Sequence, residues 1–210
     1  MNLFPIHVNV DYKKVVIVGG GEVARQKAEA LLPTKATIVV VSPAVNVKLE
    51  QYINEGLITW QQKHFEPSDL DNASFIFAVT NHEEVNNAVE EAAQHWQMLS
   101  RADAKGRVDF MNPAVVRRGE FLLTVSTSGA SPGLTRKVKE ELSEQYDPVY
   151  AAYVHILREG REKILQTLQG EQKKQALSRL LDPALLAWVR TGNEQSIAEF
   201  FDTLCKGEWS

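Results

Sequence analysis

Short apolar runs alternate with polar, helix-spaced stretches through the first hundred residues, and this alternation is the strongest structural signal in the chain. Val15-Val16-Ile17-Val18 is a β-branched run that stops at Gly19-Gly20-Gly21, the pattern of a buried parallel strand entering a tight turn. A helix follows, because Val23, Ala24, Lys27, Ala28 and Leu31 fall at helical spacing and Pro33-Thr34 closes the segment. Ala36 to Val41 reads as a second strand, broken by Ser42-Pro43. Val45 to Ile53 reads as a helix ended by Asn54-Glu55-Gly56, and Leu57 to Trp60 as a third strand. Phe75 to Val79 is the most apolar run and a fourth strand; Thr80-Asn81 then leads into a helix from about Glu83 to Trp96. Strands separated by helices predict an α/β fold, a doubly wound parallel sheet of Rossmann type.

The rhythm changes after Phe110. Ala114 to Arg118 and Phe121 to Ser126 read as two strands around an Arg118-Gly119-Glu120 turn, with no crossover helix between them. Ser131-Pro132 supplies an N-cap and a first-turn proline for a helix running to about Tyr146, which Asp147-Pro148 ends. Only helices are expected from Val149 onward, with breaks near Gly170, Asp182-Pro183 and Gly192. The organisation expected is therefore a Rossmann domain over 1–112, a small α+β segment over 113–146 and a helical domain over 147–210.

Gly19-x-Gly21-x-x-Ala24 has the G-x-G-x-x-G/A spacing at a strand-to-helix turn, where each position has a physical task. The first glycine permits the turn, Gly21 lets the backbone approach a pyrophosphate, and Ala24 allows the helix to pack closely on the strand. The helix N-terminus offers free N–H groups to the anion. Gly19, Gly20, Gly21, Glu22, Val23 and Ala24 are thus candidate dinucleotide contacts. The acid expected about 20 residues further on is replaced by Ser42-Pro43, whose hydroxyl suits a ribose. This position carries neither an acid nor an arginine, so the fingerprint leaves NAD and NADP undistinguished. Thr80 and Asn81 lie beyond the switch point of the sheet, where they suit cofactor contact, a helix cap, or both.

Asp103 is the acidic residue at the expected end of a fifth strand, in the stretch Ala102-Asp103-Ala104. From Arg101 to Arg118 there are five basic residues (Arg101, Lys105, Arg107, Arg117, Arg118) against two acidic ones. In a chain of net charge −4, such a cluster suits either an anionic substrate or a salt-bridged, solvated loop. The overall acidity argues against nucleic-acid binding. No run approaches 18 apolar residues, and Met1 to Val10 lacks the basic flank and apolar stretch of a signal peptide, so a cytoplasmic, membrane-free protein is expected. Cys205, alone in the chain, sits among Phe200, Phe201 and Leu204 as a packing residue. His7, His64, His82, His95 and His155 show no ligand spacing, and no metal is expected. The hydroxyls of Ser126 to Ser131 lead into a capped helix, without the His and Asp that would mark a nucleophile.

Taken in order, several elements resemble the precorrin-2 dehydrogenase family, which includes the N-terminal part of bacterial sirohaem synthase. They are Phe4-Pro5, Val18 to Arg25 with Lys27, Val79-Thr80-Asn81 with Asn86, Ala102-Asp103, Asp109-Phe110, Pro113-Ala114, Arg118-Gly119 and Ser126 to Pro132. The likeness covers residues 4 to about 145. It implies NAD-dependent oxidation of precorrin-2 to sirohydrochlorin on the way to sirohaem, by a homodimer joined through about 113 to 145, with Asp103 as the catalytic aspartate. The implied substrate is a tetrapyrrole with eight carboxylates, for which Arg101, Lys105, Arg117 and Arg118, with Ser128, are the expected contacts. Asp103 would accept the proton that leaves with the hydride. This chain departs from its relatives in having Ser100-Arg101 where Asn-Val is usual, and Val108 in place of a common cysteine. Some family members also insert ferrous iron, so a bifunctional or chelatase-only enzyme is a second reading, separable by whether NAD⁺ is reduced. A non-catalytic NAD-sensing regulator is a third; it explains the glycines but not Asp103 in its basic setting.

Overall fold

The computed structural model describes residues 3–103 and 105–207; residues 1–2, Ala104 and the chain from 208 on lie outside the described residues. Two compact units meet in sequence between Asn112 and Pro113. The first contains β1 (Lys14–Val18), α1 (Glu22–Leu31), β2 (Thr37–Val41), α2 (Val47–Asn54), β3 (Thr59–Gln61), β4 (Ala73–Ala78), α3 (Glu83–Ala92) and β5 (Met98–Arg101). All pairings are parallel, in the order β3-β2-β1-β4-β5. The chain moves from one half of the sheet to the other between β3 and β4, which makes the crevice beyond the ends of β1 and β4 the switch point.

The central strand explains why its sequence is uniformly apolar. Val15 and Ile17 pack on one face with Ala24, Ala28 and Leu49, while Val16 and Val18 pack on the other with Ile76, Val89 and Leu99. Successive side chains of a strand point to opposite faces, so a strand covered on both sides needs apolar residues at every position. Expected and observed elements agree apart from their edges. The third strand ends at Gln61, because Thr59 to Gln61 pair with Val39 to Val41. Helix α3 stops at Ala92, not near Trp96. The buried Gln97 side chain ends it, accepting from the Gln94 amide at 2.8 Å and donating to the carbonyls of Leu70 and Ala73 at 2.7 and 2.9 Å.

The second unit begins with an antiparallel hairpin, β6 (Ala114–Arg118) and β7 (Phe121–Val125), turned at Gly119 with φ of 59°. Helix α4 (Pro132–Gln145) follows, its Ser131 hydroxyl accepting from the Leu134 amide at 3.3 Å, as the cap reading requires. Then come α5 (Val149–Thr167), α6 (Gly170–Arg179), α7 (Pro183–Thr191) and α8 (Glu194–Lys206), packed around Ile164, Leu180, Leu185, Phe201 and Leu204. Cys205 is half-buried against this cluster. The segments 113–146 and 147–210, expected as separate, form one compact unit. The rings of Phe121, Tyr146 and Tyr150 meet at 5.1–5.6 Å across that boundary, and Arg190 pairs with Asp147. Among the described residues no helix is long and apolar enough to cross a membrane.

Candidate functional site

The glycine turn joins β1 to α1 at the switch point. Gly19 has φ of 129°, a conformation open to glycine and strained for other residues, and its amide donates to Val41 at 3.0 Å. A Cβ at Gly20 would collide with the Ala44 carbonyl oxygen, whereas one at Gly21 would meet nothing within 4 Å. The three glycines therefore do different work. Gly19 makes the turn, Gly20 lets the chain leaving β2 close against it, and Gly21 leaves the N-terminus of α1 bare on the cleft side. Ala24 is fully buried under the helix. Glu22 is exposed, and hydrogen bonds from Arg25 and Gln26 bring its pKa down to about 2.

This turn lines a cleft of about 750 Å³, together with Val41 to Val45 and Val79 to His82. Its volume falls within the range of small-molecule sites, roughly 300–1,000 Å³. A bare helix N-terminus, a glycine with open space where a side chain would be, and the switch-point position are the three features that fit a dinucleotide pyrophosphate. Ser42 and Pro43 line the cleft at the end of β2. The Ser42 hydroxyl donates to Ala44 at 2.7 Å, which leaves its oxygen free only to accept from a ribose. His64 and Phe65 also line this side, and the sequence had not marked them.

Thr80 and Asn81 line the opposite wall. The N-cap of α3 is His82, not Asn81. Thr80 is instead gripped by the buried Asn86. The Asn86 Oδ1 accepts from the Thr80 hydroxyl at 2.8 Å and the Thr80 amide at 3.3 Å, while its Nδ2 donates to the Thr80 carbonyl at 3.1 Å. The same Nδ2 donates to Asp103 Oδ2 at 3.2 Å.

Asp103 sits just past the end of β5, as expected, but its carboxylate is not free. Arg101 meets it with two parallel bonds, Nε to Oδ1 at 3.0 Å and Nη2 to Oδ2 at 2.8 Å. The Lys105 amide donates to Oδ1 at 3.3 Å. The Arg101 hydrogen bonds above all hold the Asp103 carboxyl far below the usual carboxylate range; partial burial opposes them, and the Lys105 amide and Asn86 add to them. Arg101, expected to face the substrate, has a side chain only 2% exposed. Its remaining nitrogen donates to Asn87 at 2.9 Å and Glu90 at 2.5 Å. Gly106 packs where a Cβ would strike the Glu90 carboxylate and the Arg101 guanidinium, so the loop after Asp103 wraps this ion pair.

Most of the basic cluster is thus paired within the protein. Arg107 binds Asp109 and the carbonyls of Gln94, His95 and Gln97. Lys105 pairs with Glu83 at 2.8 Å, but both side chains are more than half exposed, so that contact costs little to exchange for another anion. In the second unit, Arg118 closes the C-terminal end of α4, donating to the carbonyls of Tyr146 and Ser143 at 2.8 and 3.0 Å. Arg117 is exposed on β6, and Ser128 is exposed with φ of 52° in the turn before α4. Among the described residues no group of three or more His, Cys, Asp or Glu side chains could hold a metal ion.

A parallel sheet with a glycine turn opening into a switch-point cleft defines a dinucleotide-binding α/β protein. Residues 6–114 match a family model described as "Putative NAD(P)-binding". The chain is similar to the precorrin-2 dehydrogenase of Bacillus subtilis (strain 168), at 33% identity over 161 residues covering 77% of this chain and 99% of that protein. It is also similar to the precorrin-2 dehydrogenase of Priestia megaterium, at 30% over 181 residues covering 86% and 90%. Among solved structures it resembles "SirC, precorrin-2 dehydrogenase", with a TM-score of 0.81 and 28% identity over 97% of this chain and 100% of that one. The chain belongs to the precorrin-2 dehydrogenase family.

Proposed function

We propose that this protein oxidises precorrin-2 to sirohydrochlorin with NAD⁺, as an enzyme of sirohaem synthesis. The observation that carries the reading is the switch-point cleft with its bare Gly21 turn, in a chain that aligns with precorrin-2 dehydrogenases over nearly their whole length. Gly19 to Ala24 hold the pyrophosphate through backbone amides at the N-terminus of α1. Ser42 and Pro43 face the adenosine ribose, and Thr80 and Asn81 form the wall on the other side of the switch point. When bound, the cofactor supplies the nicotinamide that takes a hydride from the substrate. Lys105, Arg117 and Ser128 are the exposed groups available to substrate carboxylates. Asp103, just past the end of β5 and ionised beside Arg101, accepts the proton released with the hydride.

The enzyme acts as a homodimer in the cytoplasm. In support of the dimer, β6 and β7 form a sheet of only two strands, α4 has no buried residue, and Val115 and Leu134 are 39% and 51% exposed. A hairpin and helix with so little core of their own suit pairing with a second copy. The test of the reaction is an anaerobic assay of the purified protein with precorrin-2 and NAD⁺, followed by the absorbance of reduced nicotinamide. NADH formation that requires both reactants is expected. No reduction of NAD⁺ in the presence of precorrin-2 would overturn the assignment and leave the chelatase-only and regulator readings.

A further inference from the structure

We propose that the His64 ring stacks on the adenine of the dinucleotide, and so supplies adenosine recognition in a cleft whose fingerprint acid is missing. The inference deepens the reading of the cleft as a dinucleotide site and rests on it. In that reading the pyrophosphate lies on the glycine turn, so the adenosine half runs to the β2–β3 side and the nicotinamide half to the β4 side. On the adenosine side the cleft is lined by Val41 to Val45, His64 and Phe65. No carboxylate lines this side among the described residues, and the Ser42 hydroxyl is spent as a donor on Ala44. Pro43 and Val45 offer aliphatic surface only. His64 and Ser42 are the two polar side chains there, and Ser42 has no more than a lone pair to give.

The loop after β3 is braced on both sides of His64. Before it, the Trp60 indole donates to the Ser42 carbonyl at 2.9 Å, the Ser42 amide to the Gln61 carbonyl at 3.2 Å, and the Gln62 side chain to the Pro43 carbonyl at 3.5 Å. These bonds tie the loop to the end of β2, where the fingerprint places the ribose. After it, Phe65 packs against the cluster of Val18, Val39 and Val41, and the Glu66 amide donates to the buried Asp69 at 2.9 Å. Lys63 is turned to Glu66 and Asp69. His64 itself is exposed, and among the described residues its imidazole has no hydrogen bond or ion pair. A planar ring with no task in the fold, on the side of the cleft where a base must lie, has the chemistry of a stacking platform. The other imidazole of the cleft, His82, stands on the wall beyond β4 with Nδ1 3.6 Å from Glu84, and so belongs to the nicotinamide half.

The test is calorimetry with NAD⁺ and with ADP-ribose, which keeps the adenosine and pyrophosphate but lacks the nicotinamide, beside steady-state kinetics at saturating NAD⁺. The proteins compared are wild type, His64→Ala, His64→Phe and His64→Gln. His64→Ala is expected to raise the Kd of both ligands about 10-fold, the scale of one lost base–aromatic stack, with kcat near wild type. His64→Phe keeps a ring and should keep the affinity. His64→Gln keeps polar atoms without a ring and should match the alanine variant. Because the exposed side chain has no partner in the fold, all three variants should melt with wild type. Unchanged affinity for NAD⁺ in His64→Ala overturns the proposal. So does the reverse ranking, with glutamine retaining affinity and phenylalanine losing it, which marks a hydrogen bond in place of a stack. A loss confined to kcat puts His64 at the nicotinamide end and overturns it as well. Wild-type protein that binds no NAD⁺ fails the cofactor reading itself and this proposal with it, whereas NAD⁺ binding with a silent His64→Ala fails this proposal alone.

Discussion

A Cβ on Gly20 would stand 1.9 Å from the carbonyl oxygen of Ala44, so these two residues close the glycine turn against the chain that leaves β2. The Asn46 amide seals the same contact by donating to the Gly20 carbonyl at 2.9 Å. The nearest atom is backbone, so turning the Ser42 hydroxyl aside would not relieve the contact. Gly20→Ala is therefore expected to destabilise the first unit by about 1–3 kcal/mol, the usual cost of overpacking, and to lower the midpoint of urea unfolding. An unchanged midpoint would show that the 42–46 segment moves aside freely.

Gly21 is the contrasting case, because a side chain there meets open cleft. Gly21→Asp is expected to leave the melting temperature near wild type and to weaken NAD⁺ binding by at least about 10-fold, through a negative charge set against the pyrophosphate. Calorimetry on the folded variant checks this. Wild-type affinity would place the phosphates elsewhere.

Cofactor choice follows from the cleft lining, which among the described residues contains neither lysine nor arginine. Lys63, just beyond the end of β3, is held by Glu66 and Asp69 at 2.6 and 2.9 Å. A 2′-phosphate at Ser42 would then lack a lysine or arginine to pair with. NAD⁺ is expected to bind at least about 10-fold more tightly than NADP⁺, and Ser42→Arg to narrow the gap. Equal affinities in a competition titration would refute this account of the ribose end.

The Arg101–Asp103 pair also predicts a pH dependence. The folded pKa of Asp103 is depressed, so its contribution to stability is fully present above the ordinary carboxylate pKa of about 4 and is lost as pH falls below it. Wild type should keep its stability from neutral pH to about 5 and lose on the order of 1 kcal/mol more than Asp103→Asn on going to about pH 3. Urea titrations at the two ends of this range provide the comparison. Identical losses in the two proteins would mean that the carboxylate is unpaired in solution.

The dimer is checked by mass. Light scattering at micromolar concentration should return twice the chain mass for wild type, and Leu134→Glu, which puts a charge on an exposed apolar position of α4, should shift it to monomer. A monomeric wild type would show that the hairpin and α4 stand alone.

The αβ rhythm of the first unit was legible because it is a local property. Val15 to Val18 are apolar at every position since both faces of β1 are covered, and Gly19 to Ala24 must turn, open and pack within six residues. The Ser131 cap was legible for the same reason, as its partner lies three residues away. The site around Asp103 was legible only in its location. Whether Arg101, Arg107 and Arg118 face a ligand or the protein depends on which carboxylates and carbonyls the fold carries to them. Glu90 and Asn87 reach Arg101 from α3, and Tyr146 and Ser143 reach Arg118 from the far end of α4. Asn86 stood in the sequence as part of a resemblance with no task attached. Its task exists only where α3 lies between the ends of β4 and β5, so that one amide can bind Thr80 and Asp103 together. Periodicity and turn chemistry act over a few residues and determine the elements, whereas the pairing of buried charges acts between elements and is decided by their packing.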